Sequence, residues 1–153
     1  MHALRLAVRR SRWFSGASLV TLLLAVYAAQ ASGQAATAPS GSNVMLDGKQ
    51  EVPPVASTAT GSGTITVLMD HSMSGSVTIT GVAGTAAHIH MAAKGQNGAV
   101  IVPLNKTGEN TWAVPPSIRL NDQQYEAYKL GNLYVNVHSA ANPSGEIRGQ
   151  INP

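Results

Sequence analysis

Three histidines carry the chemistry this sequence can offer. His88 and His90 stand one residue apart in TAAHIHMAAKG (85–95), and His138 ends the run LYVNVH (133–138). Side chains on an extended chain alternate between faces, so His88 and His90 point one way while Ala87, Ile89 and Met91 point the other. With the apolar set buried, both imidazoles lie on the outer face. They are then about 7 Å apart at Cβ, near enough for two ring nitrogens to converge on one ion. The same alternation puts Leu133, Val135 and Val137 on one face of the later segment and Tyr134, Asn136 and His138 on the other. If the two segments share a sheet, the three imidazoles gather outside it, and imidazole suits copper or zinc over calcium or magnesium. A fourth position falls to water, to Met91 or to Glu146, and Asn136 is placed to orient an imidazole. The alternative reading is of surface histidines that hydrogen-bond a neighbouring backbone or a cross-strand partner.

Other candidates are fewer. Met69, His71 and Met73 form a Met-X-His-X-Met array whose thioethers and imidazole would accept reduced copper. In the plainer reading Met69 ends a buried strand, and His71 and Met73 decorate a turn. Glu51 and Glu146 can pair with Arg148 or Lys49 at the surface, where such pairs contribute little. There is no cysteine nucleophile, no Gly-X-Ser-X-Gly elbow and no phosphate-loop pattern.

The elements that must position the histidines are short and alternating. Ile65, Val67 and Met69 alternate with threonine and leucine, and Val77 and Ile79 alternate with serine and threonine. DHSMSG joins these two strands as a hairpin. Further strands are expected at 44–50, 86–91, 99–104, 111–114, 132–139 and 146–151. About eight strands separated by Gly, Pro, Asn and Ser predict an all-β antiparallel Greek-key sandwich or barrel. One short helix of about ten residues is expected near the C-terminal end. Asn121 caps it, Gln124 completes a capping box and Gly131 suits its left-handed stop. Tyr125, Tyr128 and Leu130 are expected to dock it.

The N-terminal segment has its own logic. Arg5, Arg9, Arg10 and Arg12 precede the apolar run ASLVTLLLAVYAA and the small-residue stretch AQASGQA. That order predicts a signal peptide over 1–35, cleaved after Ala31 or Ala35, and an apolar run short for a membrane span; an uncleaved anchor is the alternative. Arg9 and Arg10 also hint at twin-arginine export, although Arg12 stands where an apolar residue is wanted. Residues 36–43 read as a flexible leader and 44–153 as one domain. Without the four N-terminal arginines, six basic side chains face seven acids. Such a domain lacks the clustered positive face that nucleic acid needs, and no membrane span is expected after cleavage. With no cysteine, neither a disulfide nor a lipid-modified cysteine is available.

LDGKQEVPPVASTATGSGTITV, TAAHIHMAAKGQNGAVIVPL and LNDQQYEAYKLGNLYVNVHSAANPSGEIRGQI, in that order, resemble the CHRD domain, named for chordin and found in exported bacterial proteins. The resemblance spans Val44 to Ile151. It implies a periplasmic or extracellular location but no assigned activity, since in chordin other modules are credited with growth-factor binding. Locally, HIH followed by a late VNVH is similar to the copper site of copper/zinc superoxide dismutases. That likeness implies His88 and His90 as the early pair and His138 as the late ligand. No histidine matches the bridging ligand, and the zinc-holding cluster of His and Asp is missing. Three functions follow as expectations: an exported copper or zinc binding module, a metal-free structural module that contacts another exported protein, or a mononuclear copper dismutase-like oxidoreductase.

Overall fold

A computed structural model describes residues 41–153. The expected signal peptide and residues 36–40 of the expected leader lie outside the described residues. Alternating sequence becomes strand as predicted. β1 (Ser42–Asp47), β2 (Thr60–Val67), β3 (Met73–Thr80), β4 (Gly84–Met91), β5 (Ala99–Pro103), β6 (Asn105–Lys106), β7 (Thr111–Ala113), β8 (Leu133–Ser139) and β9 (Ile147–Ile151) form one antiparallel sheet. Its order is β5-β4-β8-β9-β1-β2-β3-β7-β6. β5 and β6 are its two edges, yet they follow one another in the chain through Leu104, whose N–H donates to the Ala87 carbonyl. The sheet therefore curls into a nearly closed barrel. This protects the edges that an open sheet would expose.

The inward faces carry the core, in which Val44, Ile65, Val77, Ile89, Leu133, Val135, Val137, Ile147 and Ile151 are almost wholly buried. Burial of this apolar set is the main favourable term in folding a chain that has no disulfide. β1 begins at Ser42, so the last two residues assigned to the leader are strand. It also ends sooner than expected, because Asp47 caps a single 3₁₀ turn at Gly48–Gln50 by accepting from the Gln50 N–H. β6 is an extra, two-residue strand.

Met69 does not end a buried strand. The Leu68 N–H donates to the Ser72 carbonyl and the His71 N–H to the Leu68 carbonyl, so the chain turns before Met69 can point inward, and it is 91% exposed. Met73 does not decorate the turn either; it opens β3 and is buried.

Helix α1 (Asp122–Lys129) has the expected capping box, in which Asn121 and Gln124 exchange side-chain and backbone bonds. Gly131 takes the left-handed conformation at φ 70°. Tyr128 is buried and Tyr125 packs against the core, but Leu130 is 73% exposed: it is the cap residue beyond the helix and does not dock it. Among the described residues, no helix is long and apolar enough to cross a membrane.

Candidate metal centre

The register between β4 and β8 brings the three histidines together. His88 faces Asn136, His90 faces Tyr134 and Ala86 faces His138. Directly paired residues of an antiparallel sheet share a face, so all three imidazoles stand on the side away from the core. Their ring centroids are 4.9 Å apart for His88 and His138, 5.8 Å for His88 and His90, and 6.2 Å for His90 and His138. One nitrogen from each ring lies within 4.8 Å of the other two.

The hydrogen bonds fix which nitrogens are available. His90 Nδ1 donates to the Gly98 carbonyl at 3.0 Å, and His138 Nδ1 donates to the Pro143 carbonyl at 3.0 Å. A carbonyl only accepts, so each ring keeps its proton on Nδ1 and presents an Nε2 lone pair. His90 Nε2 is buried and has no hydrogen-bond partner. His88 Nδ1 lies 3.1 Å from His138 Nε2. Two ligands on one ion with bonds of about 2.0–2.1 Å stand roughly 3.3 Å apart at a tetrahedral angle, so this pair is already near ligand spacing. Engaging an ion through His88 Nδ1 requires only that the His88 proton move to Nε2. The three nitrogens therefore offer a donor set that suits one ion: an orphaned buried lone pair on His90, a second on His138 whose ring is held by a carbonyl, and the His88 nitrogen beside it.

Burial holds the His88 and His90 imidazoles below their ordinary pKa, and the neighbouring His138 ring adds to the effect in both. The shift favours the neutral imidazole in both rings, the form that binds metal.

Residues 42–151 match the family model of the CHRD domain. The chain belongs to the CHRD family. No curated protein and no solved structure matches it. In this CHRD domain the outer face of the β4-β8-β9 wall is not a solvent face, which corrects the expectation from alternation. His90 is buried, Tyr134 and Asn136 are 1% exposed, and Arg148 is 3% exposed, while His88, His138 and Ala86 are partly open. Three loops roof this face. Arg148 Nη1 donates to the Gln96 carbonyl at 3.0 Å and Nη2 to Asn97 Oδ1, and Asn97 Nδ2 donates to the Val52 carbonyl at 2.8 Å. The Pro143 carbonyl on His138 comes from the third loop. Gly98 must be glycine, because a Cβ there would collide with the Met91 carbonyl.

The roof reassigns several residues. Arg148 Nη2 pairs with Glu51 Oε2 at 3.2 Å with both side chains 4% exposed, so this is a buried ion pair and not a surface one. Burial pushes the Glu51 carboxyl above its usual range against the pull of Arg148. Asn136 does not orient an imidazole; its Nδ2 donates to Glu51 Oε2 at 3.4 Å. Gly145, at φ +145°, closes over this pair where a Cβ would lie 2.7 Å from Glu51 Oε1. Glu146 is no fourth ligand, since its carboxylate accepts from Ser57, Ser139 and Asn142. Met91 faces the opposite way and packs on the core. The Met-X-His-X-Met array also disperses. His71 stacks on Tyr125 with centroids 4.1 Å apart, Met69 projects into solvent and Met73 is buried. The sequence reading missed the role of Tyr134, whose ring lies 4.9 Å from the His90 ring at 8° from parallel and has the Arg148 guanidinium over it at 4.1 Å. The signal was its pairing position opposite His90.

Proposed function

We propose that this CHRD domain is an exported module that binds one copper or zinc ion through His88 Nδ1, His90 Nε2 and His138 Nε2. The observation that carries the reading is the buried His90 Nε2 with no partner. A buried polar atom left unsatisfied costs about 1–3 kcal/mol, and an ion shared with the two adjacent imidazoles would satisfy it. His88 and His138 form the partly open rim, through which an ion and a water on its remaining position can enter. Among the described residues no second cluster of His, Asp or Glu accompanies these three, which supports a single ion over a dinuclear site. Export rests on the basic, apolar and small-residue order of the first 35 residues.

Calorimetric titration with copper and with zinc, on the purified protein and on a variant with all three histidines changed to alanine, tests the reading. The unaltered protein should bind one ion per chain. The variant should bind on the order of 100-fold more weakly, since losing even an outer-shell partner weakens metal sites by about 10–100-fold. Circular dichroism checks that the variant is folded, and His138→Ala alone, at a partly exposed position, serves if it is not. Equal affinity in the unaltered and folded variant proteins ends the reading.

A further inference from the structure

Six basic side chains lie in the described domain, and four are accounted for locally, Arg148 by its buried pair with Glu51. Arg119 pairs with Asp70 at 2.9 Å, Lys129 pairs with Glu126 at 2.6 Å, and Lys106 sits over the Trp112 ring at 5.6 Å. The remaining two, Lys49 and Lys94, line one cavity of about 460 Å³ beside the Arg148–Glu51 pair. Among the described residues, no acid lies within ion-pair reach of Lys49 or Lys94. The one carboxylate in the lining, Glu51, is engaged by Arg148 through Oε2. In a domain with more acids than bases, the two lysines without an acid partner among the described residues thus line the same concavity, where the one acid is already paired.

The cavity is built as well as charged. Its volume falls in the range of about 300–1,000 Å³ that holds small molecules. Arg148 is 97% buried by the roof and its Nε lacks a partner. Val52 and Pro54 supply an apolar wall, and Gln150 is held in place by the Ala92 and Gly131 carbonyls, which accept from its Nε2. Lys49 comes from the 3₁₀ turn and Lys94 from the loop after β4, so two independent segments bring a lysine to one cavity lining. A concave site whose lining carries a net positive charge concentrates the field toward anions.

We propose that this cavity, separate from the three histidines, binds an organic anion of about monosaccharide size. Its carboxylate or phosphate lies between Lys49 and Lys94, and its body rests on Val52 and Pro54. Two lysines give a charged clamp for one head group, too few for a polyanion's repeated phosphates.

The test uses chelator-treated protein, so that no ion can recruit the anion, and follows binding by NMR shift perturbation. The probes are glucuronate, glucose phosphate, neutral glucose and inorganic phosphate. Glucuronate and glucose phosphate should bind, with shifts at Val52 and Gly95, and glucose should not. Lys49→Glu/Lys94→Glu, at two exposed positions, should weaken anion binding by about tenfold or more, the loss of two charge-assisted contacts. Changing the three histidines to alanine should leave it unaltered, which separates this proposal from the metal reading. The proposal is overturned if neither organic anion binds, if the double lysine variant binds as well as the parent, or if inorganic phosphate binds as tightly as glucose phosphate.

Discussion

Tyr134→Phe tests whether His90 is held as a ligand or packed as a core ring. Three contacts close a cycle around it. The Tyr134 ring stacks on the His90 imidazole, the Gly98 N–H donates to the Tyr134 hydroxyl at 3.2 Å, and the Gly98 carbonyl accepts from His90 Nδ1. Phenylalanine keeps the stack and removes one oxygen, which leaves the Gly98 N–H without its acceptor. A buried donor orphaned in this way costs about 1–3 kcal/mol. Gly98 is only partly buried, so water can compensate and the expected loss is about 1 kcal/mol. The same glycine's carbonyl fixes the His90 tautomer, so loosening it should weaken copper and zinc binding by about tenfold, the lower end of outer-shell effects. Urea denaturation of the metal-free protein measures the first quantity, and competition against a chromophoric chelator measures the second. A variant that loses about 1 kcal/mol of stability while holding both ions at the parent affinity would refute the reasoning, because Tyr134 would then be a packing residue alone.

Two further predictions concern the roof over the polar face. Arg148→Met strands the Glu51 carboxylate and releases the Gln96–Asn97 loop, for an expected loss of about 3–5 kcal/mol near neutral pH. Glu51 already has a raised pKa and loses its counter-charge in this variant. A raised carboxyl favours folding below its unfolded value, and that advantage disappears as pH rises through the folded value. The loss should therefore shrink when denaturation is repeated at about pH 5 instead of about pH 8, and an equal loss at both would contradict the burial argument. Glu146 has the opposite sign: bonds from Ser57, Asn142 and Ser139 hold its carboxyl below the usual range. Its stabilisation is present above the unfolded value and is lost as pH falls through the folded one. Glu146→Gln should cost about 1–3 kcal/mol at neutral pH and flatten the acid limb of the stability curve, read by thermal melts across that limb.

What the sequence revealed and what it concealed divide along one physical line. Period-two alternation states which residues share a face, and it placed Val77 with Ile79, Leu133 with Val135 and Val137, and His88 with His90 correctly. The capping residues of α1 were readable because Asn121 and Gln124 act within one turn. Alternation does not say what covers a face. The residues that roof the polar wall come from loops whose Gly, Pro and Asn content signals turning and nothing more. Glu51 and Arg148 meet across most of the domain's length, so no local pattern marks them as buried. A usable hint was the company of Tyr134, Asn136, Arg148 and Gln150 on adjacent strands, since an aromatic ring among amides and a guanidinium suits a satisfied interior layer better than a solvent face. The misplacing of Met69 has a different origin. The apolar alternation continues into the turn, and only the backbone at His71, with φ 67°, shows that the strand has ended.

The same division bears on how an ion and the fold depend on each other. β4 and β8 are hydrogen-bonded from Gly84↔Ser139 to Met91↔Leu133, and Ala87, Ile89, Val135 and Val137 pack directly behind the histidines. The three histidine rings therefore stand on two strands that the core already joins, and two of them are aimed by loop carbonyls. An ion bound there links nothing that the barrel leaves apart, unlike the ion in small zinc domains that unfold without it. Its contribution to stability is the mass-action term, about 2.7 kcal/mol at a free concentration of roughly 100 times Kd. Folding thus draws on the apolar side of the wall and on the buried Glu51–Arg148 pair, and under the proposed reading metal affinity draws on the loop carbonyls that aim the rings. Gly98→Ala, whose Cβ would collide with the Met91 carbonyl at the end of β4, should therefore disturb both the carbonyl that aims His90 and the pairing of β4 with β5.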